Sequence, residues 1–257
     1  LLHEKPFNGV NGSGKHVNWS LGDNTGVNYL EPSASPLRNI TLLMTVVSIM
    51  LGVQKYGVLL RVAVSDAGND DRLGGSEAPP NIMSVYLGDY LSSLLGEIES
   101  LNRVTEKKMA EISLGIRQLP TITKDVSDRN RTAPIAFTGN KFEFRSVGSS
   151  QNCSETAMIV NLIVTYGYEL IYNRLVKLKG DPRSNALLVI KELLAQTKAV
   201  HFEGNCYSEQ WLQEARKRNL PMISQTPDAL EYLTHPETIQ FFAHAHVLTE
   251  RELEARQ

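Results

Sequence analysis

The chain has 257 residues, of which 42% are hydrophobic and 21% are charged, as is usual for a globular protein with a sizeable core. Its 26 basic and 28 acidic side chains give a net charge of -2, so we expect neither a nucleic acid nor a membrane surface as its partner. The two cysteines lack C-x-x-C spacing and are too few for a disulfide framework, which favours a reducing, cytoplasmic location. These proportions indicate one large domain, or one domain with an appendage, that binds small molecules or proteins.

The first motif, GVNGSGKH at residues 9–16, differs from the phosphate-binding P-loop pattern G-x-x-x-x-G-K-[ST] only at His16. A P-loop has to run directly into a helix, because the helix N-terminus binds the phosphate. Here Val17, Trp19 and Leu21 instead alternate with polar residues, which predicts a strand with one apolar face. The sequence therefore argues against a P-loop.

The residues between 36 and 64 are densely apolar. We expect a buried helix or a helix pair here, with breaks at Gly52 and Gly57. The longest apolar run, 40–53, is shorter than the ~20 residues of a membrane span. Residues 66–80 are rich in Gly, Asp and Pro and are predicted to form an exposed loop. The next segments are predicted to be a strand at 81–88, a helix at 89–101, and a polar helix tail with a surface excursion at 102–125.

The stretch KFEFRSV, residues 141–147, alternates between two faces of a predicted strand. Its two phenylalanines point one way, whereas Lys141, Glu143 and Arg145 point the other way. Three charged side chains on one strand face need either water or a binding site.

After this strand the pattern is helical. Asn152 and Glu155 are spaced as a capping box, and the helix they would open is expected to stop at Gly180-Asp181-Pro182. The chain therefore divides into a mixed part up to about residue 150 and an all-helical part beyond it. Further helices are predicted at about 183–200 and 206–218, from Thr226, over 236–248, and from Thr249.

Four polar segments are candidates for a functional site: NGSGKH, RLGGSEAPP, DRNRTAP and KFEFR. Each of them alone fits an ordinary structural role, such as a solvated charged face. Together they supply arginines that bind phosphate oxygens, a carboxylate and an imidazole that bind divalent metals, and glycines that allow close approach of a ligand. The combination indicates an anion and metal site suited to phosphoryl transfer.

The same segments carry a family resemblance. NGSGKH, RLGGSEAPP and RNRTAPIAFTGNKFEFR, in this order, resemble the motifs of glutamine synthetase, and SVGSSQN and the tail HVLTERELEAR resemble its type III form. The resemblance implies an α+β fold with a curved, mainly antiparallel, half-barrel-like sheet that is backed by helices. It also implies that residues 1–151 are the C-terminal part of a catalytic domain and that 152–257 are a helical continuation with the type III extension.

The activity implied by the resemblance is that of a glutamate–ammonia ligase. Such an enzyme uses ATP to convert L-glutamate into γ-glutamyl phosphate, which ammonia then converts into glutamine. The resemblance implies Mg²⁺ or Mn²⁺ as cofactor, ATP as co-substrate, and a homo-oligomer in the full-length protein.

Ten residues are implied to form the site. On the ATP side, His16 and Glu143 match metal ligands, and His16 also approaches the nucleotide. Arg131 matches the arginine that binds the transferred phosphoryl group. Ser20 and Lys141 match further ATP contacts.

On the amino-acid side, Asn11 and Gly12 match the loop that holds glutamate. Arg72 and Arg145 match arginines that bind glutamate, and Glu77 matches the flap carboxylate that takes a proton from ammonium. Glu77, Arg72, Arg145 and Arg131 are therefore expected to act directly in the reaction.

The match departs from the family in three respects. Ala136 stands where shorter forms carry an arginine, with Lys141 or a type-specific side chain as the possible substitute, and Asn18 stands where a histidine is frequent. The stretch that carries most metal-binding glutamates in the family has no counterpart before the NGSG loop, so we expect a fragment that is inactive alone. The alternative is a non-catalytic oligomerisation or regulatory module, formed by the helical half from about 152.

Overall fold

The computed structural model of the chain describes residues 12–75, 78–100 and 132–257. Four expectations lie outside these residues: the surface excursion at 102–125 and the side chains of Asn11, Glu77 and Arg131.

The described strands form one small open sheet. They are β1 (Gly14–Trp19), β2 (Val85–Tyr86), β3 (Ile135–Phe137) and β4 (Phe142–Gly148), in the order β1-β4-β3-β2. β4 pairs antiparallel with β1 and with β3, whereas β2 and β3 are parallel. The predicted α+β class with a mainly antiparallel sheet is confirmed, and the half-barrel stays a prediction. Because a strand and not a helix follows Lys15, the P-loop alternative is excluded.

The 36–64 region is one helix, α1 (Pro36–Val62), with a kink at Tyr56. The predicted break at Gly52 is wrong, because this glycine serves packing. A Cβ added at Gly52 would lie 2.2 Å from the carbonyl oxygen of Ile163, in the helix α4 (Ser154–Leu175) that crosses α1. Only a residue without a side chain allows the two helices to approach so closely.

Helix α1 is part of the core. Leu37–Val62 is long and apolar enough to cross a membrane, but 72% of its most apolar window is buried inside the protein. Such burial is what the core helix of a soluble protein shows. Val17, Trp19, Phe142 and Phe144 from the apolar face of the sheet pack with residues of α1 and α4 around one apolar cavity.

The prediction of an exposed loop at 66–80 is wrong: the first half forms a helix, and in the second half Leu73 and residues 78–80 are buried. Asp66 caps helix α2 (Ala67–Arg72) by accepting hydrogen bonds from the backbone N–H groups of Gly68 and Asn69. Asn69 and Arg72 are buried against the end of β4. A composition rich in Gly and Asp did not predict exposure here, because the polar side chains find partners inside the protein.

The capping box predicted for α4 is also wrong. Cys153 is the N-cap residue, and Asn152 Oδ1 accepts a hydrogen bond from the backbone N–H of Ser154 instead. A capping box does open the last helix, where Thr249 and Glu252 bond each other's backbone N–H groups.

The remaining helices follow the predicted order. An extended segment at 200–202 also hydrogen-bonds to Val85 in β2, so the helical half contributes to the sheet edge. The remaining helices are α3 (Asp89–Ser100), α5 (Pro182–Leu194), α6 (Glu209–Lys217), α7 (Thr226–Leu230), α8 (Pro236–His244) and α9 (Glu250–Glu254).

Candidate active site

One face of the sheet is polar. The register pairs Asn18 with Glu143 across β1 and β4, and Ala136 with Glu143 across β3 and β4. Because side chains alternate along a strand, Arg145 shares the face of Glu143. The register between β1 and β4 shifts between Lys15 and Val17, so His16 lies at an irregularity of the β1–β4 ladder. Such irregularities re-aim a side chain next to functional sites.

His16, Glu143 and Arg145 meet on this face. His16 Nδ1 lies 3.6 Å from Glu143 Oε2. Arg145 donates to the same oxygen from Nη2 at 3.2 Å and from Nε at 3.4 Å. The Glu143 side chain is 8% exposed, whereas that of His16 is 58% exposed and accessible to a ligand. The predicted convergence of an imidazole, a carboxylate and a guanidinium is therefore present.

The surroundings favour the neutral form of His16. Partial burial and the positive charge of Arg145 lower the pKa of His16 below its usual 6.5, and Arg72 adds to this; Glu143 opposes the shift without cancelling it. At neutral pH the imidazole is therefore uncharged, which is the state that can donate a lone pair to a metal.

Arg72 lies at one end of the face, underneath Gly14. Its Nε donates to Asn69 Oδ1 at 2.9 Å, and its Nη2 donates to the carbonyl oxygens of Ser146 and Val147, both at 3.0 Å. A Cβ at Gly14 would lie 2.3 Å from Arg72 Nη1. Gly14, the second glycine of the NGSG motif, thus leaves the space that the buried guanidinium occupies.

The other predicted residues lie at the two ends of the face. Trp19 pairs with Phe142, so Ser20 directly follows β1 at the same end of the sheet at which Lys141 directly precedes β4. Gly12 precedes β1 at the opposite end, where Gly14 pairs with Gly148 above Arg72. The described residues thus order the candidate ATP contacts, the His16–Glu143–Arg145 group and the candidate amino-acid contacts along one surface.

Comparison with known proteins gives the relatives of this chain. Over the whole chain, the sequence is 41% identical to a glutamine synthetase of Bacteroides fragilis and 40% identical to the type-3 glutamine synthetase of Dictyostelium discoideum. The chain is related to the glutamine synthetases. A glutamine synthetase of Butyrivibrio fibrisolvens is also 40% identical over all of the chain, and the profile of the glutamine synthetase C-terminal domain matches residues 186–257. The predicted resemblance to glutamine synthetases is confirmed, and the Dictyostelium relative carries the name of the type III form.

The chain is shorter than these glutamine synthetases. It spans 36%, 35% and 36% of the length of the Bacteroides, Dictyostelium and Butyrivibrio proteins.

Ala136 marks the clearest departure from shorter glutamine synthetases. It is fully buried, directly opposite Glu143 on one side and paired with Tyr86 on the other. A long cationic side chain at this position would lie against the Glu143 carboxylate. Substitution of that charge by Lys141 stays a prediction; this lysine directly precedes β4, two residues from Glu143.

The sequence did not identify the residues that hold Arg72. Asn69 Nδ2 donates to the carbonyl oxygens of Val64 and Ser146, and Gln151 Oε1 accepts a hydrogen bond from the backbone N–H of Gly148. The segment containing Gln151 was visible only as part of a family motif. No local pattern indicates that Asn69 accepts a hydrogen bond from Arg72 Nε, or that Asn69 Nδ2 in turn donates to Gln151 Oε1 at 3.4 Å.

The pair of His16 and Glu143 fits a divalent metal in part. Oxygen and nitrogen ligands bind Mg²⁺ or Mn²⁺ at about 2.1 Å, so two ligand atoms 3.6 Å apart can share one ion. Among the described residues, no group of three or more His, Cys, Asp or Glu side chains could hold a metal. Further ligands would therefore have to come from other parts of the protein.

Proposed function

We propose that the full-length protein is a glutamate–ammonia ligase that makes glutamine from L-glutamate, ammonia and ATP through γ-glutamyl phosphate. The observation that supports this best is the meeting of His16, Glu143 and Arg145 on one sheet face, in a chain about 40% identical to glutamine synthetases. A carboxylate does not react with ammonia directly, so the reaction has to begin with phosphoryl transfer from ATP.

The order of residues along the face supports a direction for the substrates. ATP would lie at the end with Ser20 and Lys141, and glutamate at the end with Gly12 and Arg72. The phosphoryl group would then pass between them in front of His16, Glu143 and Arg145. Positively charged side chains that are fixed before the reaction stabilise the negative charge that accumulates during such a transfer.

His16 and Glu143 would hold one Mg²⁺ or Mn²⁺ ion. When bound, this ion would neutralise phosphate charge and so lower the barrier to transfer. Arg145 holds the Glu143 carboxylate in place through two hydrogen bonds. Its proposed contact with glutamate uses the same guanidinium, so Arg145 would couple the metal ligand to the amino-acid substrate.

The proposed roles of Asn11, Glu77 and Arg131 rest on the family motifs. Asn11 would hold glutamate together with Gly12, and Arg131 would bind the transferred phosphoryl group. Glu77 would accept a proton from ammonium, because only neutral ammonia can attack the acyl phosphate. As part of a flap, it would also exclude water from this intermediate.

We also propose a cytoplasmic homo-oligomer, a catalytic part up to residue 151 and a helical continuation from 152. The 257 residues alone are proposed to be inactive, because the two candidate ligands among the described residues, His16 and Glu143, are too few for a divalent ion that takes about six. Turnover by this chain comparable to that of the full-length protein would refute this statement.

The non-catalytic alternative is less well supported. Glu143 and Arg145 are buried, and burial of two charged groups carries a desolvation cost. A decayed site would lose little by replacing them with apolar residues, yet both charged residues remain.

The test is an assay of the full-length protein with Mg²⁺, ATP, glutamate and ammonia. We expect glutamine formation that requires all three substrates, and a loss of at least roughly a hundredfold in kcat for Glu143→Gln. Glu31→Gln changes an exposed glutamate outside the sheet and should retain activity. Failure of the unmodified protein to form glutamine would refute the proposal, as would full activity of Glu143→Gln.

A further inference from the structure

Helix α2 is held from two sides. On one side, Asn69 and Arg72 hydrogen-bond to the backbone at the end of β4. On the other side, Asp70 contacts the segment that opens α7, far along the chain. Six residues are too few for a helix that is stable by itself, so its position depends on these contacts.

Asp70 joins three elements through one carboxylate. Its Oδ1 pairs with Arg61 Nη2 in α1 and accepts a hydrogen bond from Thr226 Oγ1 at 3.0 Å. Its Oδ2 accepts from the backbone N–H of Thr226 at 2.7 Å. The side chains are only 9% exposed for Asp70 and 1% exposed for Arg61, so water competes little for these bonds.

Arg61 completes the connection to the C-terminal region. Its Nε donates to the carbonyl oxygen of Ile223 at 2.9 Å, and its Nη2 also donates to that of Ser224 at 3.3 Å. The segment 223–226 therefore contacts both members of the buried ion pair. It belongs to the part of the chain that matches the glutamine synthetase C-terminal domain.

We infer that Asp70 is a positioning residue through which the C-terminal region holds α2, and with it Arg72, against the polar face of the sheet. Arg72 lies two positions after Asp70, about 200° further around the helix, so the two side chains leave opposite sides of the short helix. Loosening of the 223–226 contact releases the side of α2 that faces away from β4. If Arg72 binds glutamate, as in the proposed function, its displacement weakens glutamate binding.

The test compares hydrogen exchange in variants of the full-length protein. Thr226→Val removes one hydroxyl bond to Asp70 and leaves the Arg61–Asp70 pair intact, so the amides of residues 66–75 should exchange about tenfold faster. Thr226→Ser keeps the hydroxyl and should exchange as the unmodified protein does. Asp70→Asn should have a larger effect, whereas Asp71→Asn, a change at the exposed neighbour, should have none.

The inference is overturned if Thr226→Val leaves exchange of 66–75 unchanged, or if exchange rises equally throughout the chain. In the glutamine assay, Thr226→Val should raise KM for glutamate several-fold with little change in KM for ATP, and Thr226→Ser should restore it. Equal changes in both KM values would overturn the link to Arg72. A protein that forms no glutamine would refute the proposed function, but the exchange result would still decide whether Asp70 holds α2.

Discussion

Replacement of Gly14 by alanine tests the packing that underlies the site. The new Cβ would lie 2.3, 2.6 and 2.8 Å from Nη1, Cζ and Nη2 of Arg72, where contacts of about 3.5 Å are normal. Either β1 or the guanidinium must therefore move by about 1 Å. If the guanidinium moves, the hydrogen bonds of Arg72 at 2.9 and 3.0 Å would lengthen to about 4 Å, which is beyond hydrogen-bonding distance.

The expected loss follows from these bonds. A hydrogen bond to a charged group contributes about 1.5–3 kcal/mol, so loss of one or two with partial relaxation should cost about 3 kcal/mol. This corresponds to roughly hundredfold faster hydrogen exchange in residues 66–75 and in β4. Gly96→Ala is the matched control, because a Cβ there meets no atom within 4 Å and alanine is the better helix former. Unchanged exchange in Gly14→Ala would refute the reasoning.

Three further predictions follow from the contacts and pKa shifts. Gly167→Ala places a Cβ 2.2 Å from the backbone oxygen of Ser48, so it should force α1 and α4 apart. We expect the free energy of unfolding in urea to fall by about 3 kcal/mol, and an unchanged urea midpoint would contradict this packing. Burial raises the pKa of Glu203, but its hydrogen bonds outweigh this and hold the pKa below 4.5. The stability that the ionised carboxylate contributes should therefore be complete above pH 4.5 and decline as pH falls through the folded-state pKa. In urea unfolding, Glu203→Gln should remove this part of the pH dependence of the midpoint. NMR titration should show the pKa of His16 below 6.5, and lower still in Glu143→Gln, because Glu143 raises it; a rise in that variant would contradict the geometry.

Alternation predicted the two strands of the site because each has one apolar face against the core. Val17 and Phe144 pack inward, and this places His16 and Glu143 on the opposite face. Period-two patterns contain this information locally. Which strands pair is a long-range property, so alternation alone could not bring the two residues together; their meeting was expected from the combined chemistry of the four polar segments and from the family motifs.

Two of the three errors share a physical cause, which is that tertiary contacts decided the local structure; the capping error is local, because Asn152 bonds the backbone N–H of Ser154. Gly52 is a poor helix residue in isolation, yet the crossing with α4 requires it inside α1. Asn69 and Arg72 lie in a stretch with loop composition, yet both are buried because β4 offers them carbonyl oxygens. Asn152 and Glu155 have capping-box spacing, but Cys153 is the N-cap residue.

The central claim is that His16 and Glu143 bind the same metal ion. Titration of Mn²⁺ into the full-length protein, followed by electron paramagnetic resonance, tests it in unmodified protein, His16→Gln, Glu143→Gln and the double variant. Each single change should weaken Mn²⁺ binding at one site by about tenfold or more. The double change should weaken binding by less than the product of the two single factors, since both residues bind the same ion. Mn²⁺ affinity that stays unchanged in both single variants would contradict the claim.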